Sequence, residues 1–262
     1  MAGYVRSMLW NHQDLTAAIR NSIKAHSRGA IATDCDGTVW SGDIGEDVFV
    51  HFTRHGDLRE PAASAVLVEA RAFDLDTSGA PLDVLKRYYE AFTKGAVPEE
   101  RMYEMMVWCF GGWRRDEVVK FVDQVLVEEN LAARIFPEMH ALLDAVRPST
   151  AIVLVSGSPD FVIKRACHML GVDEDHVVAA RSRWDGDVML ADVERPITYA
   201  HGKVVNFRAS FPDAHLHAAF GDSAFDYELL AESRFPVMVR PKQALRDKCA
   251  VLPDARELVV TG

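Results

Sequence analysis

The chain has 262 residues, 49% of them hydrophobic and 26% charged, and its formal net charge is -10. This balance is typical of a globular protein with enough apolar residues for one large domain or two smaller ones. The negative charge argues against nucleic acids and anionic membranes as partners, because both are bound mainly through Lys and Arg. No run reaches the about 18 to 20 apolar residues of a membrane-spanning helix, and the N-terminus lacks a secretion signal. We therefore expect a cytoplasmic protein.

The four cysteines, Cys35, Cys109, Cys167 and Cys249, lie far apart and form no CxxC pair. This spacing predicts buried free thiols in a reducing compartment, not disulfides or a zinc site. Because side chains alternate along a strand, Cys35 is expected to face away from its neighbours Asp34 and Asp36 and to serve in packing.

The first predicted elements are an amphipathic helix over residues 15–26 and a short buried strand over residues 30–33. Asp34 and Asp36 follow the strand directly, and Gly37 comes next. Two carboxylates this close repel each other, so such a pair persists where a cation holds it or where one acts as an acid. On this stretch alone, solvated aspartates at a turn are an equal alternative.

From residue 44 to residue 135 the pattern is helical, with prolines near several of the predicted starts. The predicted helices cover residues 44–55, 61–73, 81–94, 98–110 and 116–133. We therefore predict a core formed by residues 1–43 and 136–262, with a helical insert at residues 44–135.

From Pro148 onward, predicted strands alternate with predicted helices. The strands cover residues 151–155, 177–180, 216–220 and 235–239; the helices cover residues 159–170, 200–209 and 224–231. Residues 181–194 contain a turn typical of a hairpin. This alternation predicts an α/β fold with a doubly wound, Rossmann-like parallel sheet and helices on both faces.

Polar junctions follow three of the strands, at the edge of a parallel sheet where ligands bind. Asp34, Asp36 and Asp222 offer the hard oxygen ligands that Mg²⁺ prefers. Ser156 and the amides near Gly157, at a predicted helix start, suit an anion.

A cation beside a phosphate would offset the charge that develops in the transition state. Lys203, about twenty residues before Asp222, is the candidate. Lys164 is a weaker rival because it lies inside a predicted helix.

Four stretches in this order resemble the motifs of the haloacid dehalogenase superfamily. They are Asp34-Cys35-Asp36-Gly37-Thr38-Val39, Val155-Ser156-Gly157-Ser158, Lys203, and Gly221-Asp222-Ser223-Ala224-Phe225-Asp226. Within the superfamily the chain most resembles phosphoserine-phosphatase-like hydrolases, whose helical cap lies where residues 44–135 stand. The resemblance covers nearly the whole chain.

The resemblance implies that Asp34 is a nucleophile that becomes an aspartyl phosphate, and that Asp36 is the general acid and base. Ser156 would hydrogen-bond the phosphoryl group, and Lys203 would steady Asp34 and the phosphate. Dehalogenases of the superfamily lack an acid at the position of Asp36, which favours phosphate ester hydrolysis.

The implied metal is Mg²⁺, held by Asp34, Asp222 and the main-chain carbonyl of Asp36. Asp226 would complete the metal shell or orient Lys203.

The implied substrate is a small phosphorylated metabolite. Gly157 and Ser158 are expected near the phosphate, while Trp40, Asp43 and Glu46 are expected to line the entrance. In phosphoserine phosphatases a glutamate after the first motif receives the substrate amine, and Asp43 and Glu46 lie near that place. Gly37 and Trp40 depart from the pattern of those enzymes, so the substrate is left as a small phosphomonoester. A phosphotransferase and a catalytically silent phosphate sensor are the alternatives.

Overall fold

The computed structural model describes residues 9–261. Residues 1–8 and 262 of the predicted core lie outside the described residues, as does the stretch on which the predicted absence of a secretion signal depends. None of the helices in residues 9–261 has the length and apolar character needed to cross a membrane.

Nine strands and twelve α-helices are described. The first part of the core contains β1 (Leu9–Trp10), α1 (His12–Ala25) and β2 (Gly29–Thr33). The insert contains α2 (Ile44–His55), α3 (Glu60–Ala72), α4 (Pro81–Thr93), α5 (Glu99–Trp108), α6 (Arg115–Glu128) and α7 (Leu131–Arg134). The chain then returns through α8 (Pro137–Val146), β3 (Ala151–Pro159), α9 (Asp160–Ala166), β4 (Val177–Ala180), β5 (Ser182–Asp185) and β6 (Val188–Val193). It ends with α10 (His201–Ser210), β7 (His215–Gly221), α11 (Tyr227–Ala231), β8 (Phe235–Val239), α12 (Gln243–Cys249) and β9 (Arg256–Leu258).

Seven strands form one sheet in the order β1-β9-β8-β7-β2-β3-β4, and all neighbouring pairs are parallel. From β2 the chain proceeds outward through β3 and β4, then returns to place β7 on the other side of β2. The carboxyl ends of β3, β2 and β7 are therefore adjacent at the switch in strand order, where ligands bind in such sheets. This confirms the predicted doubly wound α/β fold.

The residues of β2 alternate between two apolar cores, one on each face of the sheet. Ala30 and Ala32 pack with Phe207 of α10 and Leu229 of α11. Ile31 belongs to the larger core, which includes α1, α8 and the insert. Both faces are thus covered by helices, which explains why the strands are apolar along their whole length.

The four cysteines are free and buried, as expected. Cys35 is fully buried in the same core as Ile31, on the face opposite Asp34.

The helices of the insert, hereafter the cap, share one apolar core with the sheet. The rings of Phe110 in the cap and Phe161 in α9 have centroids 5.1 Å apart. The β5–β6 hairpin also joins the cap: Gly112 N–H donates to Met189 C=O at 2.8 Å, and Met189 N–H donates to Trp113 C=O at 2.9 Å. The cap is therefore packed on the core at several points.

The two chain segments that connect core and cap are hydrogen-bonded to each other. Ser41 N–H donates to Arg134 C=O at 3.0 Å, and Phe136 N–H donates to Val39 C=O at 2.9 Å. The Arg134 guanidinium donates to Ser41 C=O and to Asp47, each at 2.7 Å. These bonds hold the start of α2 in a fixed relation to β2.

Two predicted boundaries are wrong for local reasons. The single helix predicted over residues 116–133 is split into α6 and α7, because Asn130 adopts a left-handed conformation with φ 48°. The helix predicted to open at Pro159 begins at Asp160, and Ser156, Gly157 and Ser158 continue the extended chain of β3. Their amides are therefore not the first turn of a helix.

Candidate active site

A cavity lies at the carboxyl ends of β2, β3 and β7. Residues from all three strand ends and from the cap line it: Asp34, Asp36, Asp43, Glu99, Tyr103, Ser156, Gly157, Ser158, Tyr199, Lys203, Asp222, Ser223, Phe225 and Lys242. The structure therefore brings together most of the residues that the sequence singled out.

Asp34 is held from both of its oxygens. Its Oδ1 accepts a hydrogen bond from Lys203 Nζ at 2.7 Å, and its Oδ2 accepts one from Thr38 Oγ1 at 2.9 Å. Burial raises the pKa of Asp34 to about 8, against the opposing effect of Lys203. A carboxylate has about four acceptor sites, so each oxygen of Asp34 still has room for another partner.

Lys203 joins Asp34 to Asp226. Its ammonium donates to Asp226 Oδ1 at 2.5 Å, and only 4% of Lys203 is exposed. Burial opposes its charge, but the carboxylates of Asp226 and Asp34 outweigh burial and raise its pKa. Lys203 is therefore a buried cation beside Asp34.

Lys164 lies elsewhere, in an ion pair with Asp160 at 2.9 Å. Asp160 in turn accepts from the amide and hydroxyl of Ser182. Lys164 is thus not the cation of this cavity.

Asp226 is fully buried, and its second oxygen is saturated with donors. Asp226 Oδ2 accepts from the main-chain N–H groups of Asp222 and Ser223 at 3.1 and 2.9 Å, and from Ser223 Oγ at 3.1 Å. Of the two roles considered for Asp226, the contacts favour orientation of Lys203 over ligation of a metal.

Asp36 is fixed by three donors from three parts of the chain. Its Oδ1 accepts from Trp40 Nε1 and from the amide of Ile44, each at 2.8 Å, and its Oδ2 accepts from Ser158 Oγ at 2.7 Å. One acceptor position on Oδ2 is left for a proton or a substrate atom. The carboxylate thus has one defined orientation.

The expectation that Trp40 lines the entrance is wrong. Its side chain is fully buried in the core, and its indole N–H donates to Asp36. An indole needs a partner for its N–H when it is buried, and here the partner is a carboxylate of the cavity. Trp40 therefore orients Asp36 and does not border the cavity.

Ser156 and Ser158 differ in what their hydroxyls do. Ser156 Oγ accepts from the amide of Ser158 at 3.1 Å, so its own proton is available to the cavity. The proton of Ser158 Oγ is used on Asp36. Gly157 also lines the cavity. A Cβ on Gly45 of α2 would overlap Ser158 Oγ, so the absence of a side chain there lets the cap approach the core closely.

Asp222 is buried and faces the same space as Asp34. A Cβ on Gly37 would lie 2.5 Å from Asp222 Oδ2, and the φ of Gly37 is +77°, so this turn requires glycine for two reasons. Lys242 Nζ lies 3.1 Å from Asp222 Oδ2. Burial raises the pKa of Asp222, and Lys242 opposes the shift.

The site carries more carboxylates than cations. Its acids are Asp34, Asp36, Asp43, Glu99, Asp222 and Asp226, and its cations are Lys203 and Lys242. Carboxylate oxygens of Asp34, Asp222 and Asp226 lie within 4.8 Å of one another. Such crowding is relieved either by protons or by a bound cation. The donor set therefore fits Mg²⁺, with Asp34 and Asp222 offering the oxygens that have room for it.

Asp43 and Glu46 lie at the cap side of the cavity. Asp43 caps α2 by accepting from the amide of Glu46 at 2.8 Å, and burial followed by repulsion from Asp36 raises its pKa well above the usual range. Glu46 lines an adjoining outer cleft of about 900 Å³ and accepts from Tyr89 Oη at 2.5 Å. Both therefore lie near the entrance.

Six lining residues were given no role from the sequence: Glu99, Tyr103, Tyr199, Ser223, Phe225 and Lys242. Glu99 and Tyr103 lie one turn apart on α5, and Tyr199 Oη donates to Glu99 at 3.2 Å. The rings of Tyr199 and Phe225 have centroids 4.5 Å apart, and those of Tyr103 and Tyr199 are 5.5 Å apart. No strand end or motif marks the α5 residues; their i, i+4 spacing was the one available signal.

Comparison with known proteins agrees with this geometry. A family model of haloacid dehalogenase-like hydrolases matches residues 31–231. No match was found among curated proteins.

Among solved structures, a protein of unknown function from Bordetella pertussis Tohama I is 16% identical over 88% of this chain and 99% of its own, with a TM-score of 0.64. A HAD family hydrolase from Salmonella enterica serovar Typhi is 15% identical over 93% and 75%, with a TM-score of 0.54. A phosphoserine phosphatase, as a phospho-aspartyl intermediate analogue, is 15% identical over 89% and 93%, with a TM-score of 0.51. At these identities the structural similarities show a common fold. The family match, which includes every strand end of the cavity, shows that the chain belongs to the haloacid dehalogenase-like hydrolases.

Proposed function

We propose that this protein is a Mg²⁺-dependent phosphatase that hydrolyses a small phosphomonoester through a phosphorylated Asp34. The observation that carries this proposal is the arrangement of two carboxylates with different partners: Asp34 beside a buried ammonium, and Asp36 held by three neutral donors. A nucleophile and a separate acid-base group need these two environments.

Asp34 is suited to attack phosphorus. Lys203 and Thr38 each engage one of its oxygens, which fixes the carboxylate plane and leaves a lone pair free. Attack by one oxygen forms an O–P bond while the ester O–P bond breaks. Lys203 beside Asp34 then offsets negative charge on the phosphoryl oxygens.

Asp36 is suited to serve the leaving group. Its remaining acceptor position would carry the proton that the departing alkoxide takes up. Afterwards the same carboxylate would accept a proton from the water that attacks phosphorus and releases Asp34. Trp40, Ile44 and Ser158 keep Asp36 in one orientation through both steps.

Asp34 and Asp222 would hold Mg²⁺, together with the main-chain carbonyl of Asp36. Among residues 9–261, no N–H or O–H donates to that carbonyl oxygen. When bound, Mg²⁺ neutralises charge on the phosphoryl oxygens. Ser156, whose hydroxyl proton is free, and the amide region of Gly157 would hold the rest of the phosphoryl group.

The leaving group would lie toward the cap. Asp43, Glu46 and Glu99 surround that side, and rings from Tyr103, Tyr199 and Phe225 form its wall. This surface favours a small leaving group that is neutral or cationic, since an anionic one would face three acids. Solved structures with the same fold include phosphoserine phosphatases, whose substrate carries an amine.

A panel of phosphomonoesters, assayed for phosphate release with and without Mg²⁺, tests the proposal. The panel should contain amino-alcohol, polyol and carboxylate-bearing phosphates, so that leaving-group charge is varied at similar size. We expect Mg²⁺-dependent turnover, fastest with the amino-alcohol or neutral compounds. Absence of phosphate release from every compound would contradict the proposal.

A further inference from the structure

Lys242 is the second cation of the cavity, and it is held very differently from Lys203. Its side chain is 71% exposed, whereas that of Lys203 is 5% exposed. Lys242 Nζ pairs with Asp222 Oδ2 at 3.1 Å, and residues 9–261 offer it no second acidic partner. An exposed lysine with one ion pair loses little free energy when it moves.

The position of the Lys242 main chain is nevertheless fixed by the backbone around it. The amide of Lys242 donates to the carbonyl of Asp222 at 2.8 Å. Just before it, Arg240 has a φ of 42°, a conformation that is unfavourable for arginine and turns the chain sharply after β8. Such strained residues are concentrated at functional sites. The turn therefore keeps the aliphatic part of the Lys242 side chain beside Asp222, while the side chain stays largely exposed.

The ammonium and a metal ion would compete for Asp222. Lys242 pairs with Oδ2 of Asp222, a carboxylate that belongs to the acidic cluster of Asp34, Asp222 and Asp226. A Mg²⁺ ion on Asp222 would place two like charges side by side, so the ammonium would leave. Lys242 lines both the inner cavity and the outer cleft, and no other Lys or Arg among the described residues lines either space except Lys203.

We propose that Mg²⁺ displaces Lys242 from Asp222 and that Lys242 then binds the substrate. Lys242 neutralises Asp222 in the metal-free protein, and it binds an anionic oxygen of the substrate once Mg²⁺ has taken its place. The proposal rests on the proposed function of the same site, but its two halves are tested with Mg²⁺ and inorganic phosphate alone, without turnover.

The first measurement is the affinity for Mg²⁺, by calorimetry, of the wild type and of Lys242→Gln. Because the variant removes a competing cation, we expect Mg²⁺ to bind about three- to fivefold more tightly, the size expected for an exposed ion pair. Lys248→Gln is the matched control, since it removes an equal charge from α12, the helix that directly follows Lys242, and Lys248 Nζ contacts Ala224 C=O outside the cavity. The control should bind Mg²⁺ as the wild type does.

The second measurement is the affinity of the Mg²⁺-loaded proteins for inorganic phosphate. We expect phosphate to bind Lys242→Gln about tenfold more weakly, as for loss of a hydrogen bond to a charged group. With a substrate in hand, KM should rise by a similar factor while kcat changes little. Lys242→Arg should restore most of the phosphate affinity.

Unchanged affinities for both Mg²⁺ and phosphate would overturn the proposal and make Lys242 an ordinary surface ion pair. Weaker Mg²⁺ binding would overturn it as well, because Lys242 would then support Asp222 as a ligand. Tighter Mg²⁺ binding with unchanged phosphate affinity would refute its role toward the substrate. If the wild type binds Mg²⁺ and phosphate but shows no turnover, the proposed phosphatase activity is contradicted. The proposed exchange of Lys242 for Mg²⁺ at Asp222 is not.

Discussion

Strand β7 has buried polar groups at both ends, and the two ends partner them differently. At the carboxyl end, Asp222 and Asp226 are paired with Lys242 and Lys203. At the amino end, His217 is fully buried, and its Nδ1 lies 2.9 Å from Ser22 Oγ. Its Nε2 is buried without a hydrogen-bond partner. One end holds charges and the other holds neutral imidazoles.

The histidine end is a packed cluster, and no acid among residues 9–261 forms an ion pair with its rings. The rings of His26 and His215 stack with centroids 4.1 Å apart, and those of His215 and His217 are 5.0 Å apart. Burial, and to a smaller extent the neighbouring His215 and His26, lowers the pKa of His217 to about 4. The comparison teaches that burial of titratable groups does not by itself mark a site: the paired charges belong to the candidate active site, while the imidazoles at the other end of β7 are expected to affect stability alone. Four substitutions test this difference.

The largest effect is expected for Asp34→Asn. The amide cannot form the phosphorylated intermediate, so kcat should fall by about 10⁴-fold or more. The measurement is steady-state phosphate release, with thermal unfolding to verify folding. Asp160→Asn is the control, because it alters a buried acid whose partners, Lys164 and Ser182, lie outside the cavity. If the control lost as much activity, the carboxyl end of β2 would have no special role.

Lys203→Met should lower kcat by about 10²- to 10³-fold, because it removes a preorganised cation from the site of developing charge. It should also destabilise the fold, since Asp34 and Asp226 would lose their buried counter-charge. Urea unfolding and phosphate release measure the two effects. Lys164→Met, the matched control, should retain activity; equal losses in both variants would argue against a catalytic function for Lys203.

His217→Asn tests the other end of β7. The unfolded chain takes up a proton near pH 6.5 and the folded chain only near pH 4, so wild-type stability should fall as the pH drops through this interval. His217 should account for a decrease of about 3 kcal/mol in the free energy of unfolding over this interval. Asn keeps an acceptor for Ser22 and does not titrate, so the variant should lose correspondingly less stability. If urea unfolding gave the same pH dependence of stability for the wild type and the variant, the effect could not be assigned to His217. Turnover at neutral pH should be unchanged.

The smallest effect is expected for Trp40→Phe. Phenylalanine fills most of the buried space but cannot donate to Asp36, so kcat should fall about tenfold through loss of one hydrogen bond to a charged group. The pH profile of kcat should also shift. Trp108→Phe in the cap core controls for packing. A kcat that stays at the wild-type level would show that Ile44 and Ser158 suffice to hold Asp36.

The sequence predicted the sheet and the strand ends well because both are local. Buried strands are short apolar runs; Asp34 and Asp222 follow β2 and β7 directly, and Ser156 follows the apolar part of β3. The edge strand β1 and its neighbour β9 were missed, since two or three residues leave no pattern. Asn130 also has no sequence signal strong enough to reveal a break between α6 and α7.

The function of Trp40 was beyond sequence reasoning for a different reason. A tryptophan four residues after Asp36 suggests an exposed ring beside a cavity as readily as a buried donor. Only the packing of β2 against the cap decides between them, and packing is non-local. The same holds for Glu99 and Tyr103, which reach the cavity because α5 lies across it.

The first turn of α2 belongs to the cap by sequence and to the catalytic core by its contacts. Ile44 donates its amide to Asp36, and Gly45 gives Ser158 the room it occupies. An exchange of caps at residue 44 would therefore alter the surroundings of one of the three donors that orient Asp36. A chimera that keeps residues 40–46 from this chain and changes the cap only beyond them would keep the three donors to Asp36 in place. The segment that can be exchanged thus begins after residue 46 and is shorter than the predicted insert of residues 44–135.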